Sequence, residues 1–197
     1  MRRLSGRVAV VTGAGSGIGR ATAKALAERG CAIAAVDVHP DGAEETAEQV
    51  RSLGVLASAH LADVRDADRM NELPTEVEGS LGPCQILVNN AGVTAAGAFT
   101  DETIDDLRWI VDINVWGVLH GCRAFLPMLQ QADEAHIVNM SSMVGLLGLP
   151  HNVSYSLTKG AVRAFSEALR AELVTTQVGV TVVFPGAIHT NITTGAR

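Results

Sequence analysis

Two rhythms of apolar and polar positions alternate along this 197-residue chain. Short β-branched runs at Arg7–Thr12, Ala32–Val38, Val55–Leu61, Gln85–Asn89, Ala135–Met140 and Val180–Phe184 read as buried strands. Between them, apolar residues recur three and four apart. This spacing predicts helices at about Gly17–Arg29, Gly42–Leu53, Asp66–Gly79, Glu102–Leu129 and Val153–Thr176. Helix starts are signalled by Asp41 three residues before Glu44, and by the acid that Thr100-Asp101-Glu102 puts on a first turn. Repeated strand–helix–strand units predict an α/β fold: a doubly wound parallel sheet with right-handed crossovers and helices on both faces. No repeat, low-complexity tract or linker divides the chain, so residues 1–197 are expected to form a single domain.

Composition narrows the class. Hydrophobic residues make up 47% of the chain and aromatic residues only 4%, as suits a parallel-sheet interior of Val, Ile, Leu and Ala. A net charge of −6 without a basic run disfavours nucleic acid and anionic membranes as partners. Cys31, Cys84 and Cys122 are odd in number and widely spaced, which points to buried thiols in a reducing compartment. His39, His60, His120 and His136 have no ligand-like spacing, so no metal site is expected. The apolar run after the basic N-terminus is too short for a signal peptide, and no stretch approaches the ~18 residues of a membrane span. A soluble, cytoplasmic protein is the expectation.

The first strand runs into Thr12-Gly13-Ala14-Gly15-Ser16-Gly17-Ile18-Gly19-Arg20, and a helical pattern follows. Glycines here let the backbone turn sharply and approach a pyrophosphate, which the helix's first N–H groups then face. The segment fits GxGxxG in no register and lacks the GK[ST] ending of a mononucleotide loop. It does match TGxxxGIG, and so resembles the glycine motif of the classical short-chain dehydrogenase/reductase family. Membership implies a Rossmann-like fold and a nicotinamide cofactor cradled by Gly13, Ser16, Gly17, Ile18 and Gly19.

Asp37 ends the second strand, eighteen residues after Gly19. A carboxylate there can accept both ribose hydroxyls of NAD and repel a 2′-phosphate. Val38, His39 and Ser16 offer no compensating cation, so NAD is expected rather than NADP. Arg20 is the one basic residue nearby, expected on the exposed helix surface.

Further segments resemble the family in order. Asp63-Val64 is similar to the pair that contacts adenine, and Asn89-Asn90-Ala91-Gly92 to NNAG, in which Asn90, Ala91 and Gly92 line the cofactor groove. Asn114 stands where the family has an asparagine joined to a proton relay. Ser142 follows the fifth strand, and Tyr155-Ser156-Leu157-Thr158-Lys159 gives YxxxK. Pro185-Gly186-Ala187-Ile188-His189-Thr190 resembles PGxIxT, whose Pro185, Gly186, Ile188 and Thr190 would hold the nicotinamide.

Tyr155 and Lys159 are four apart on a predicted helix and project from one face. A free tyrosine, with a pKa near 10, is a poor base at neutral pH; an adjacent ammonium and a cationic nicotinamide would lower it. The resemblance therefore implies hydride transfer between NAD(H) and the carbinol or carbonyl carbon of a small alcohol or ketone. Tyr155 would be the general acid–base, and Ser142 would stabilise the developing oxyanion. Lys159 would also grip the nicotinamide ribose, and Asn114 would link it through water to solvent. Ser141 is expected to be structural, and His151 and His189 to be solvent-exposed. Met143, Val144, Gly145 and the Thr94–Phe99 segment would shape the pocket.

The chain departs from the family's pattern by stopping seven residues after Thr190. The segment that would supply a substrate lid and a last sheet strand is expected to be absent. The helical stretches around Trp109–Met128 and Ser154–Leu173 correspond to subunit contacts in the family, so a homodimer or homotetramer is expected. Two other readings stand beside the dehydrogenase. An epimerase or dehydratase that recycles its NAD normally has a longer substrate domain and another glycine spacing. A non-catalytic dinucleotide-binding sensor or subunit would fit an incomplete pocket.

Overall fold

The computed structural model describes residues 3–188. Six parallel strands lie in the order β3-β2-β1-β4-β5-β6. They are β1 (Val8–Thr12), β2 (Ala32–Asp37), β3 (Ala57–Leu61), β4 (Ile86–Asn89), β5 (Ala135–Met140) and β6 (Val178–Val183). The helices are α1 (Gly17–Ala27), α2 (Pro40–Arg51), α3 (Ala67–Leu81), α4 (Ile104–Val111), α5 (Gly117–Leu129) and α6 (Val153–Glu172). The strand order reverses between β1 and β4, and in such sheets ligands bind at the carboxyl ends of the strands beside that reversal.

Alternate residues of the strands feed two separate cores. On one face, Val10, Val36, Leu87 and Ile137 pack with Met70 and Leu73 of α3, Phe125 of α5 and Val162 of α6. On the other, Val11, Ile33, Ala35 and Val88 meet Ala23 and Ala27 of α1 and Val50 of α2. The second core is the more alanine-rich, which lets α1 lie close to the sheet and brings its N-terminus over the β1 carboxyl end. The expected doubly wound α/β sheet is therefore present.

Several boundaries moved for local reasons. α2 begins at Pro40 behind an extended His39, with no side-chain cap from Asp41. Proline's fixed φ and missing N–H suit the first helical position, which outweighs the acid spacing. The helix expected over Glu102–Leu129 is divided. Thr103 and Asp106 form a reciprocal capping box that starts α4, and a π-helical turn, Asp112–Trp116, precedes α5. That wider turn carries the buried Asn114. β6 begins at Val178 rather than Val180. Gly179 sits against the His136 ring, where an added Cβ would lie 2.6 Å from Nδ1.

Candidate active site

At the carboxyl ends of β1, β2, β4 and β5 the loops enclose a cleft of about 790 Å3. Its first wall is the glycine loop. Gly13 and Gly17 adopt positive φ (64° and 51°), and a Cβ on Gly19 would stand 2.0 Å from the Gly13 carbonyl oxygen. Ser16, Gly17, Ile18 and Gly19 all line the cleft. The first-turn amides of α1 have no intrahelical acceptor and face the same space.

The loop is held from behind by Thr12 and Asn90. The buried Thr12 hydroxyl accepts the N–H groups of Asn90 (3.0 Å) and Ala91 (3.1 Å). The Asn90 side-chain amide donates to the carbonyls of Thr12 (2.9 Å) and Gly13 (3.2 Å). The loop after β4 is thereby tied to the loop after β1. Below it, the Asn89 amide donates to Asn139 Oδ1 at 2.9 Å, and Asn139 donates to Ser166 Oγ at 3.0 Å. These polar links fix strand ends that apolar packing alone would leave free to slide.

Asp37 is oriented by two backbone donors, the N–H of Gly15 (2.8 Å) and that of His39 (2.9 Å). Asp63 and Val64 also line the cleft. The Asp63 carboxylate is paired with Arg65 at 2.6 Å, and that guanidinium holds it below the usual carboxylate range. Arg20 does not lie free on the helix surface as expected. It donates to the Gly15 carbonyl, to Thr46 Oγ1 at 3.0 Å and to Glu45 at 2.7 Å.

Ser142, Tyr155 and Lys159 meet at the far end. Lys159 is buried and donates from Nζ to the Met140 carbonyl at 3.0 Å. Its Nζ stands 5.7 Å from the centroid of the Tyr155 ring. Burial pulls the Lys159 ammonium down to about 8. Tyr155 shifts the other way from the expectation. Burial pushes its phenol above the usual value, and a hydrogen bond with Ser142 only partly offsets that. Ammonium proximity matters less in the protein alone than the loss of water around a would-be tyrosinate. Ser142 Oγ also accepts the Val144 N–H at 3.4 Å. Ser141 donates to the Lys159 carbonyl at 2.8 Å and so ties β5 to α6.

Asn114 lies beneath the cleft rather than in its wall. Its side chain accepts the Val93 N–H (2.8 Å) and donates to the Val93 carbonyl (2.9 Å) and to Thr158 Oγ1 (3.1 Å). A Cβ on Gly92 would come 3.1 Å from Asn114 Oδ1 and 3.3 Å from Lys159 Nζ, so glycine there brings the two side chains close. Pro185, Gly186 and Ile188 line the cleft; Thr190 and His189 lie outside the described residues. Of the expected pocket residues, Thr94, Met143 and Val144 contribute, joined by Trp109, Ile113 and Leu149. Gly145 instead packs behind, against Ser141 Oγ and the Lys159 backbone. The exposed His151 has φ 59° and accepts the Gly97 N–H through its carbonyl.

A doubly wound sheet with a glycine loop at its reversal, an acid after β2 and a tyrosine–lysine pair at the far end defines a dinucleotide-binding oxidoreductase scaffold. The chain belongs to the short-chain dehydrogenase family, whose model, described as short chain dehydrogenase, matches residues 7–197. It is 38% identical over 198 residues to a Mycobacterium tuberculosis protein named as oxidoreductase SadH, covering 100% of this chain and 72% of that one. Among solved structures it is similar to a short chain dehydrogenase/reductase from Burkholderia phymatum in complex with NAD. That match has a TM-score of 0.94 at 35% identity, over 98% of this chain and 69% of the other. An NAD+-bound xylitol dehydrogenase matches with a TM-score of 0.90 at 34% identity, over 94% of this chain and 72% of the other.

Proposed function

We propose that this chain is an NAD-dependent oxidoreductase interconverting a small, uncharged alcohol and its ketone, with Tyr155 as general acid–base. The observation that carries the reading is the opening of Ser142, Tyr155 and Lys159 into the same cleft as the glycine loop and Asp37. The residues present fit the dinucleotide. The glycines let the loop pack against Asn90, Ala91 and Asp37 more closely than side chains would allow, first-turn amides of α1 lack intrahelical acceptors, and a carboxylate stands at the end of β2 for ribose hydroxyls. Relatives solved with NAD, one of them a xylitol dehydrogenase, support the same cofactor and alcohol chemistry.

Gly13, Ser16, Gly17, Ile18 and Gly19 would hold the pyrophosphate, and Asp37 the adenosine ribose. Asp63 and Val64 would contact the adenine. Asn90, Ala91 and Gly92 would border the middle of the dinucleotide, with Pro185, Gly186 and Ile188 beside the nicotinamide. Bound there, NAD supplies the two-electron oxidation of the carbinol carbon and, reduced, its reversal. Ser142 donates to the substrate oxygen and steadies its developing negative charge. Tyr155 takes the hydroxyl proton in oxidation and returns it in reduction. Lys159 keeps a positive charge beside Tyr155 at neutral pH and fixes the nicotinamide ribose. Asn114 holds the turn through which that proton reaches solvent.

Because burial raises Tyr155 above its ordinary value, alcohol oxidation should climb with pH from 7 towards 9, while carbonyl reduction stays level over that range. Tyr155→Phe should lower kcat by about 10²–10⁴-fold with NADH binding retained. Full turnover in that variant would overturn the assignment. NADH binding without turnover on any secondary alcohol or ketone would favour the sensor reading.

A further inference from the structure

Arg20 and its partners form a cluster against the side of the glycine loop that faces Asp37. The Gly15 peptide joins the two charges: its N–H donates to Asp37 Oδ2 at 2.8 Å, and its carbonyl accepts from Arg20. The guanidinium also donates through Nε to Thr46 Oγ1, which is fully buried and lies 2.8 Å from the Ala14 carbonyl oxygen. The remaining contact is Glu45 Oε2 at 2.7 Å. A fixed cation thus stands one peptide away from the carboxylate that meets the ribose. Such a cation is the ordinary partner of a 2′-phosphate. Arg65, the arginine that lines the cleft, is taken up by Asp63.

We propose that Glu45 is a specificity-determining residue. By neutralising Arg20 and holding it against Gly15, it lets Asp37 dominate the field at the adenosine ribose and so excludes 2′-phosphorylated dinucleotides. The inference rests on nicotinamide dinucleotide binding in this cleft. Asp37, Arg20 and Glu45 together carry one net negative charge, and removing the charge of Glu45 brings the group to neutrality. Neither Glu45 nor Arg20 lines the cleft, so both act on the ribose site through their charge and through the Gly15 peptide, and a double variant separates the part that runs through Arg20.

Calorimetric titration with NAD+ and NADP+ at low ionic strength tests this on three proteins: the unmodified chain, Glu45→Gln, and Arg20→Gln with Glu45→Gln. Because Glu45 is more than half exposed, the expected effect is modest. Glu45→Gln should bind NADP+ about fivefold tighter while NAD+ changes less than about twofold. The double variant should lose that gain. An unchanged ratio of the two affinities in Glu45→Gln, or a gain that survives in the double variant, overturns the proposal. Equal weakening of both dinucleotides also overturns it, because Glu45 would then only brace the loop. The unmodified chain separates the two levels: failure to bind either dinucleotide, or a preference for NADP+, sinks the cofactor reading itself and this inference with it.

Discussion

Lys159 carries opposing demands at one atom. The proposed chemistry needs its charge beside Tyr155, yet burial holds its pKa at about 8 with the Met140 carbonyl as acceptor. An unfolded lysine titrates near 10.4. Between those values the unfolded chain binds a proton that the folded chain does not, so this group adds stability as pH rises through the window. Below about 8 the buried ammonium detracts from stability. Lys159→Met should therefore abolish turnover, while the unfolding free energy of the unmodified protein gains on the variant by about 3 kcal/mol from pH 7 to 10.5. Urea unfolding at fixed pH values measures that difference, and a constant gap would contradict it. The identity of this site was legible in the sequence because four-residue spacing on a helix is a one-dimensional signal. The direction of the Tyr155 shift was not, because desolvation depends on what the fold stacks around the ring. Thr12, Thr158 and the Met140 carbonyl escaped notice for a related reason: they act through backbone groups or on residues far away in the chain.

At the scale of elements, two glycines inside helices show how propensity and packing separate. Gly160 lies within α6, where an added Cβ meets only the Gly145 carbonyl oxygen at 3.9 Å. Gly121 lies within α5, where a Cβ would come 2.1 Å from Asn89 Oδ1. Intrinsic propensity alone would favour alanine at both by about 1 kcal/mol. Gly160→Ala should stabilise the protein by about 0.5–1 kcal/mol. Gly121→Ala should destabilise it by about 1–3 kcal/mol, because Asn89 is buried and its amide already holds Asn139. Chemical denaturation of the two variants decides the matter, and stabilisation at position 121 would show that Asn89 can yield. Sequence patterning located every strand and most helical residues because strands buried on both faces read as short continuous apolar runs, distinct from the three-and-four spacing of the helices. It missed the division near Asn114. Trp109 to Met128 keeps one apolar rhythm, and the π-helical turn answers to Val93 and Thr158, which lie elsewhere in the chain.

Across the whole molecule, the three cysteines expected to be buried are all buried and free, and their placement sets the alkaline limit of the fold. Burial pushes the thiols of Cys84 and Cys122 up to about 12, and raises that of Cys31. An unfolded cysteine ionises near 8.5. The folded state therefore keeps protons that the unfolded chain has lost, and the stability this confers is complete below the unfolded value and disappears as pH rises through the folded one. Each fully buried thiol is worth roughly 5 kcal/mol across that range. The gain of about 3 kcal/mol from Lys159 is spread over pH 8 to 10.5 and runs in the opposite direction. Two such thiols outweigh one lysine once the unfolded cysteines ionise, so stability should peak near pH 8 and fall above it. The same desolvation should leave Cys84 and Cys122 unreactive towards thiol reagents at pH 8 until the protein unfolds, since the thiolate is the attacking species. Replacing both with alanine should flatten the alkaline limb, at the expense of stability near neutral pH through two small cavities. Unfolding free energies at pH 7, 9 and 10.5 for the two proteins provide the check. An alkaline limb equally steep in both would place its origin in groups other than these thiols.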